Sequence, residues 1–71
     1  MGNIEKHIDA IRLIEQTIGL NELTEDIYNT AVARRDNPDD TLMELALKLG
    51  ITKSCLNHRL RKILAIAEEL K

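Results

Sequence analysis

Aromatic residues are almost missing from this 71-residue chain: Phe and Trp are absent, and Tyr28 stands alone. Strands favour β-branched and aromatic residues on a pleated surface, so an apolar content built from Ile, Leu, Val and Ala points to helices. No sheet is expected. Stacking of single-stranded bases is disfavoured for the same reason, because it needs aromatic platforms. The lone Cys55 has no partner in the chain, which excludes an internal disulfide and fits a reducing compartment. No apolar run is long enough to span a bilayer and no charged-then-apolar leader opens the chain, so the sequence reads as cytoplasmic and free of membrane. A convergent set of acids, bases or nucleophiles is also lacking, so no catalytic residue is assigned and no enzyme is expected. Cys55 and His58 offer two zinc ligands where a structural site wants four, and no metal or other cofactor is expected. His7 is expected on the exposed side of the first helix.

What the chain does have is segregated charge. Its formal net charge of −2 argues against nucleic acid only until the charges are placed. Residues 1 to 47 hold four Lys or Arg against ten Asp or Glu, whereas residues 48 to 71 hold six against two. Lys53, Arg59, Arg61 and Lys62 have no acidic residue among them. Screening at physiological salt limits each charge to about 8 Å, so a local basic face can meet phosphates while the rest of the domain stays acidic.

Four helices can be read along one domain covering residues 1 to 71. Ile4, Ile8, Ile11, Ile14 and Ile18 recur at helical steps, predicting a first helix over about 3–18 that stops at Gly19. Thr24, followed by Glu25 and Asp26, opens a second helix over about 24–35. Its expected apolar face is Ile27, Tyr28, Ala31 and Val32, with Arg34 and Arg35 at its negative end. Asp36-Asn37-Pro38-Asp39-Asp40 is the clearest break. Thr41-Leu42-Met43-Glu44 then has the spacing of a capping box, opening a third helix over about 42–49 with Leu42, Leu45, Ala46 and Leu49 inward. Gly50 permits a tight turn, Ile51 plugs it, and Thr52 caps a fourth helix over about 53–70. That helix should bury Leu56, Leu60, Ile63, Leu64, Ala67 and Leu70.

A helix, a glycine turn and a basic helix form a helix-turn-helix over about residues 41–64, in which the second helix enters the major groove of double-stranded DNA. Ala46 is small where the two helices approach, Gly50 turns the chain, and Leu56 anchors the second helix on the first. At about 100° per residue, Ser54, His58, Arg61 and Lys62 fall opposite the buried leucines, with Lys53 and Asn57 at the flanks. Lys, Ser, Asn, His and Arg are the side chains that base edges and phosphates require. The candidate DNA-binding residues are therefore Lys53, Ser54, Asn57, His58, Arg59, Arg61 and Lys62.

Residues 52 to 62, Thr-Lys-Ser-Cys-Leu-Asn-His-Arg-Leu-Arg-Lys, resemble the Ser-Lys-Ser-Gly-Val-Asn-His-Arg-Leu-Arg-Lys signature of the C-terminal domain of WhiA, a family of bacterial regulators of sporulation and cell division. Ile11 to Leu20, Leu42 to Gly50 and Ile66 to Leu70 fit the same family, while Cys55 stands where the family pattern usually has Gly. The resemblance implies an all-α fold similar to region four of bacterial sigma factors, a nucleoid-associated role in transcription regulation, and RNA polymerase as a partner to test. It also implies a larger N-terminal domain similar to LAGLIDADG homing endonucleases, without nuclease activity. On that reading this chain would be an excised C-terminal segment, with Met1-Gly2 as added residues. The competing reading is a protein-docking module contacting that N-terminal domain or RNA polymerase, motivated by Leu13, which lies off the isoleucine stripe of the first helix.

Overall fold

The structure, a computed structural model, describes residues 3–70, with side chains from residue 6 onward. Four helices make up the fold: α1 (Asn3–Thr17), α2 (Glu25–Asp36), α3 (Leu42–Leu49) and α4 (Lys53–Glu69). A single 3-10 turn, Leu20–Glu22, joins the first two, and no strand occurs among the described residues. The longest helix, α4, packs against each of the other three, and α2 touches both α1 and α3. One apolar core results. Ile11, Ile14, Leu45, Leu56, Leu60 and Ile63 are its largest fully buried members, each worth about 1.5–3 kcal/mol relative to exposure.

In α1 the buried residues are His7, Ala10, Ile11 and Ile14, the i, i+3, i+4, i+7 spacing of a single helical face. The expectation that His7 is exposed is therefore corrected. At about 100° per residue it lies within about 40° of both Ile11 and Ile14, at the centre of the buried stripe. Ile8 is half-buried, and the side chain of Ile4 lies outside the described residues. Ile18 is 43% exposed, because α1 stops at Thr17 and Gly19 turns the chain away with φ 84° and ψ 150°. The Gly19 N–H donates to the Ile14 carbonyl at 2.8 Å, closing the helix end.

The inner face of α2 also differs from the expected one. Ile27 and Ala31 are buried, but Thr30 and Arg34 are buried with them, while Tyr28 is exposed and Val32 half-buried. Polarity is a poor guide here because each side chain finds partners through the fold, although Arg34 Nε and Nη1 are buried without one. The Thr30 hydroxyl donates to the Asp26 carbonyl at 2.9 Å. Arg34, at the negative end of the helix as expected, folds its guanidinium onto the following loop. Its Nη2 donates to the carbonyls of Asn37, Pro38 and Asp40 at 3.0, 3.1 and 2.6 Å. Burial pushes Arg34 below the ordinary arginine range, opposed by the nearby Asp40 carboxylate. Arg35 does remain on the surface and bridges to Glu15 of α1 at 3.0 Å. Thr24 occupies the position before α2, yet its side chain makes no capping hydrogen bond.

The buried arginine fixes the loop from which α3 starts. Asn37 closes α2 by donating from both its backbone N–H and its Nδ2 to the Ala33 carbonyl. Lys48 of α3 reaches back to Asp40 at 2.6 Å and to the Asn37 Oδ1 at 3.1 Å. The start of α3 is the capping box: Thr41 Oγ1 accepts from the Glu44 N–H at 3.2 Å, and Glu44 Oε1 accepts from the Thr41 N–H at 3.0 Å. Two amides otherwise left open at the helix start are thus satisfied reciprocally.

Candidate nucleic-acid interface

The interface is built outward from the turn between α3 and α4. Gly50 adopts the left-handed conformation, φ 70° and ψ 32°, and the Ile51 N–H reaches back to the Ala46 carbonyl at 3.0 Å. This is the closure that ends a helix at a left-handed residue, and it brings half-buried Ile51 against the core. Thr52 then starts α4, with its Oγ1 accepting the Cys55 N–H at 3.1 Å. Leu45 and Ala46 of α3 meet Leu56 of α4 in the core, all three buried. A small residue at position 46 allows the two helices to approach.

With Leu56, Leu60, Ile63 and Ala67 turned inward, the remaining azimuths of α4 are fixed. Lys53, Ser54, His58, Arg61 and Lys62 are exposed, and Asn57 is half-buried beside them. Five of the seven candidate residues therefore face solvent, with Asn57 at their inner edge. Cys55 is half-buried, with a free thiol.

Arg59 is different. Its side chain is only 18% exposed and turns back to α2, where Nη1 lies 3.4 Å from the Thr30 Oγ1 and Nη2 lies 3.9 Å from the Asp26 carboxylate. The basic stretch is free of acidic residues in sequence but not in space, because α2 brings Asp26 to Arg59. Arg59 thus braces α4 against α2, and among the described residues the cations of this face left without an ion pair are Lys53, Arg61 and Lys62. Polarity at positions 30 and 34 hid this arrangement. The usable signal was the i, i+3, i+4, i+7 spacing of Ile27, Thr30, Ala31 and Arg34.

Comparison with known proteins agrees with this architecture. The WhiA C-terminal HTH domain family matches residues 2–67. The chain belongs to that family. It is 47% identical to a probable cell division protein WhiA of Clostridium acetobutylicum and 43% identical to one of Bacillus cereus, with 93% and 100% of the chain aligned. The crystal structure of full-length DUF199/WhiA from Thermatoga maritima superposes with a TM-score of 0.91 at 39% identity, over 93% of this chain. The chain spans 22–23% of the length of these WhiA proteins. Among the described residues, no helix is long and apolar enough to cross a membrane.

Proposed function

We propose that this domain binds double-stranded DNA in a sequence-dependent way, with α4 in the major groove, and that it serves transcription regulation in sporulation or cell division. One observation carries the reading: Lys53, Ser54, His58, Arg61 and Lys62 share the solvent side of a helix whose opposite side is locked into the core behind a glycine turn. A recognition helix needs this combination, because rigid backing holds the readers in register and the open side carries both cations and hydrogen-bonding groups. Lys53, Arg61 and Lys62 supply phosphate contacts. We assign Asn57 to a base edge, where its amide suits adenine, and Arg61 to phosphate, with guanine as the alternative that its salt slope distinguishes. Association with the nucleoid follows from this reading.

The experiment is fluorescence anisotropy with duplex DNA, comparing wild type with Arg61→Ala and Asn57→Ala at unchanged helicity. Loss of a base contact should cost about 1–3 kcal/mol on the preferred sequence and relax discrimination there, whereas loss of a phosphate contact weakens all sequences alike. A protein-docking role is favoured by a separate observation: Met43 and Leu47, one turn apart on α3, are 62% and 76% exposed. RNA polymerase or the larger N-terminal domain of a WhiA protein are the partners to test for that face. Loss of binding to either in a Met43→Ser, Leu47→Ser variant that still binds DNA would assign it.

A further inference from the structure

A groove of about 450 Å³ opens beside the basic face of α4 and extends to α1. Lys53, Asn57 and Arg61 line it from α4, and His7 lines it from α1, over the buried Leu60 and half-buried Leu64. Among the described residues no carboxylate lines it, which sets it apart from the neighbouring groove of about 410 Å³, where Asp9 and Glu68 take part. Leu42, in the first turn of α3, also contributes, so the positive end of that helix lies nearby. Two cations, an amide and an apolar base are the surroundings a sugar-phosphate needs.

His7 gives the groove a further donor. The residue is 6% exposed, and its Nδ1 is buried without a hydrogen-bond partner. An N–H buried without an acceptor is costlier than a lone pair left unused, so the neutral ring keeps its proton on Nε2 and offers a donor there.

We propose that this groove seats one deoxyribose-phosphate unit of the DNA backbone beside α4, with Lys53 and Arg61 on the phosphate, His7 Nε2–H as a third donor, and the leucines under the sugar. The proposal rests on the DNA-binding reading and extends the interface to a helix outside the helix-turn-helix. Because the contact is to backbone, it acts on every sequence alike.

The test uses mixed-sequence duplex DNA, inorganic phosphate and two variants of the chain. His7→Leu, at wild-type helicity, should weaken binding to every duplex about tenfold, the scale of one hydrogen bond to a charged group. The salt slope should stay unchanged, since no charge is removed. His7→Gln, which keeps a donor, should recover most of the loss. In the unmodified protein, the 15N resonances of the His7 ring should move on addition of DNA and move less with inorganic phosphate. Wild-type affinity in a folded His7→Leu variant, or His7 resonances unmoved at saturating DNA, would overturn the proposal while leaving DNA binding by α4 intact. A shift with inorganic phosphate as large as that with DNA would reassign the groove to a free anion. Failure of the wild type to bind any duplex would remove the DNA-binding reading itself.

Discussion

Substitution of the two turn glycines separates backbone strain from steric fit. Gly50 ends α3 at φ 70° and ψ 32°, and a Cβ built there meets no atom within 4 Å. Any cost of Gly50→Ala is therefore conformational. The left-handed region costs a side chain about 1–2 kcal/mol, and the reduced entropy of the unfolded chain returns about 0.4–1 kcal/mol. The net loss is about 1 kcal/mol, equivalent to roughly 4–8 °C in the unfolding midpoint of a domain this size. Gly50→Asn should lose less than Gly50→Ala, because asparagine visits the left-handed region more readily. Gly19 also has open space around its Cβ position, but its ψ of 150° places it in a region used almost only by glycine. There the penalty rises to about 1–3 kcal/mol and asparagine should bring no relief. Thermal unfolding followed by circular dichroism reads all four variants. Equal effects of Ala and Asn at position 50, or a rescue by Asn at position 19, would refute this account of the turns.

Thr41→Ala removes one half of the capping box and should cost about 1 kcal/mol, read as a lower unfolding midpoint, and an unchanged midpoint would contradict it. Asp26→Asn breaks an ion pair whose acid is 76% exposed, so it should change stability by at most about 1 kcal/mol while strengthening DNA binding by freeing Arg59, and weaker binding in an anisotropy titration would count against it. The pKa of His7 is lowered from 6.5, first by burial and then by the charge of Arg34, so the folded state holds the ring neutral. The unfolded chain then binds the extra proton first, and stability should fall as pH drops from about 6.5 toward the folded-state value, with no such loss above it. His7→Leu should flatten this part of a midpoint-against-pH profile, and an unaltered profile would show that other groups control it.

Much of this architecture was legible in the residues. Patterned aliphatics and the scarcity of aromatics pointed to an all-α fold, and Thr41, Glu44, Gly50 and Thr52 marked the start of α3 and the turn into α4 through local chemistry that depends on few tertiary contacts. The outward side of α4 followed from its leucine spacing. Sequence polarity misled wherever a polar side chain finds its partner through the fold. Thr30 is satisfied by its own helix and by Arg59, and Arg34 is held through Nη2 alone by a loop three to six residues further on, its Nε and Nη1 buried without a partner. Their inward placement was therefore written in their helical spacing with Ile27 and Ala31 but masked by their polarity. His7 was misplaced for a simpler reason. The stripe was traced through isoleucines alone, although its azimuth coincides with theirs.

If α4 meets DNA through a small set of free cations, the salt dependence of binding reports them most directly. With Arg59 held by α2, three contacts from Lys53, Arg61 and Lys62 should give a slope of log affinity against log salt of about −2.7, and removing one should shallow it by about 0.9. Anisotropy of a labelled duplex over a series of salt concentrations yields both values. A slope near −2.7 that shallows in Lys53→Ala, Arg61→Ala and Lys62→Ala but not in Arg59→Ala is the predicted result. No binding at low salt, or the same slope in all four variants, would contradict it.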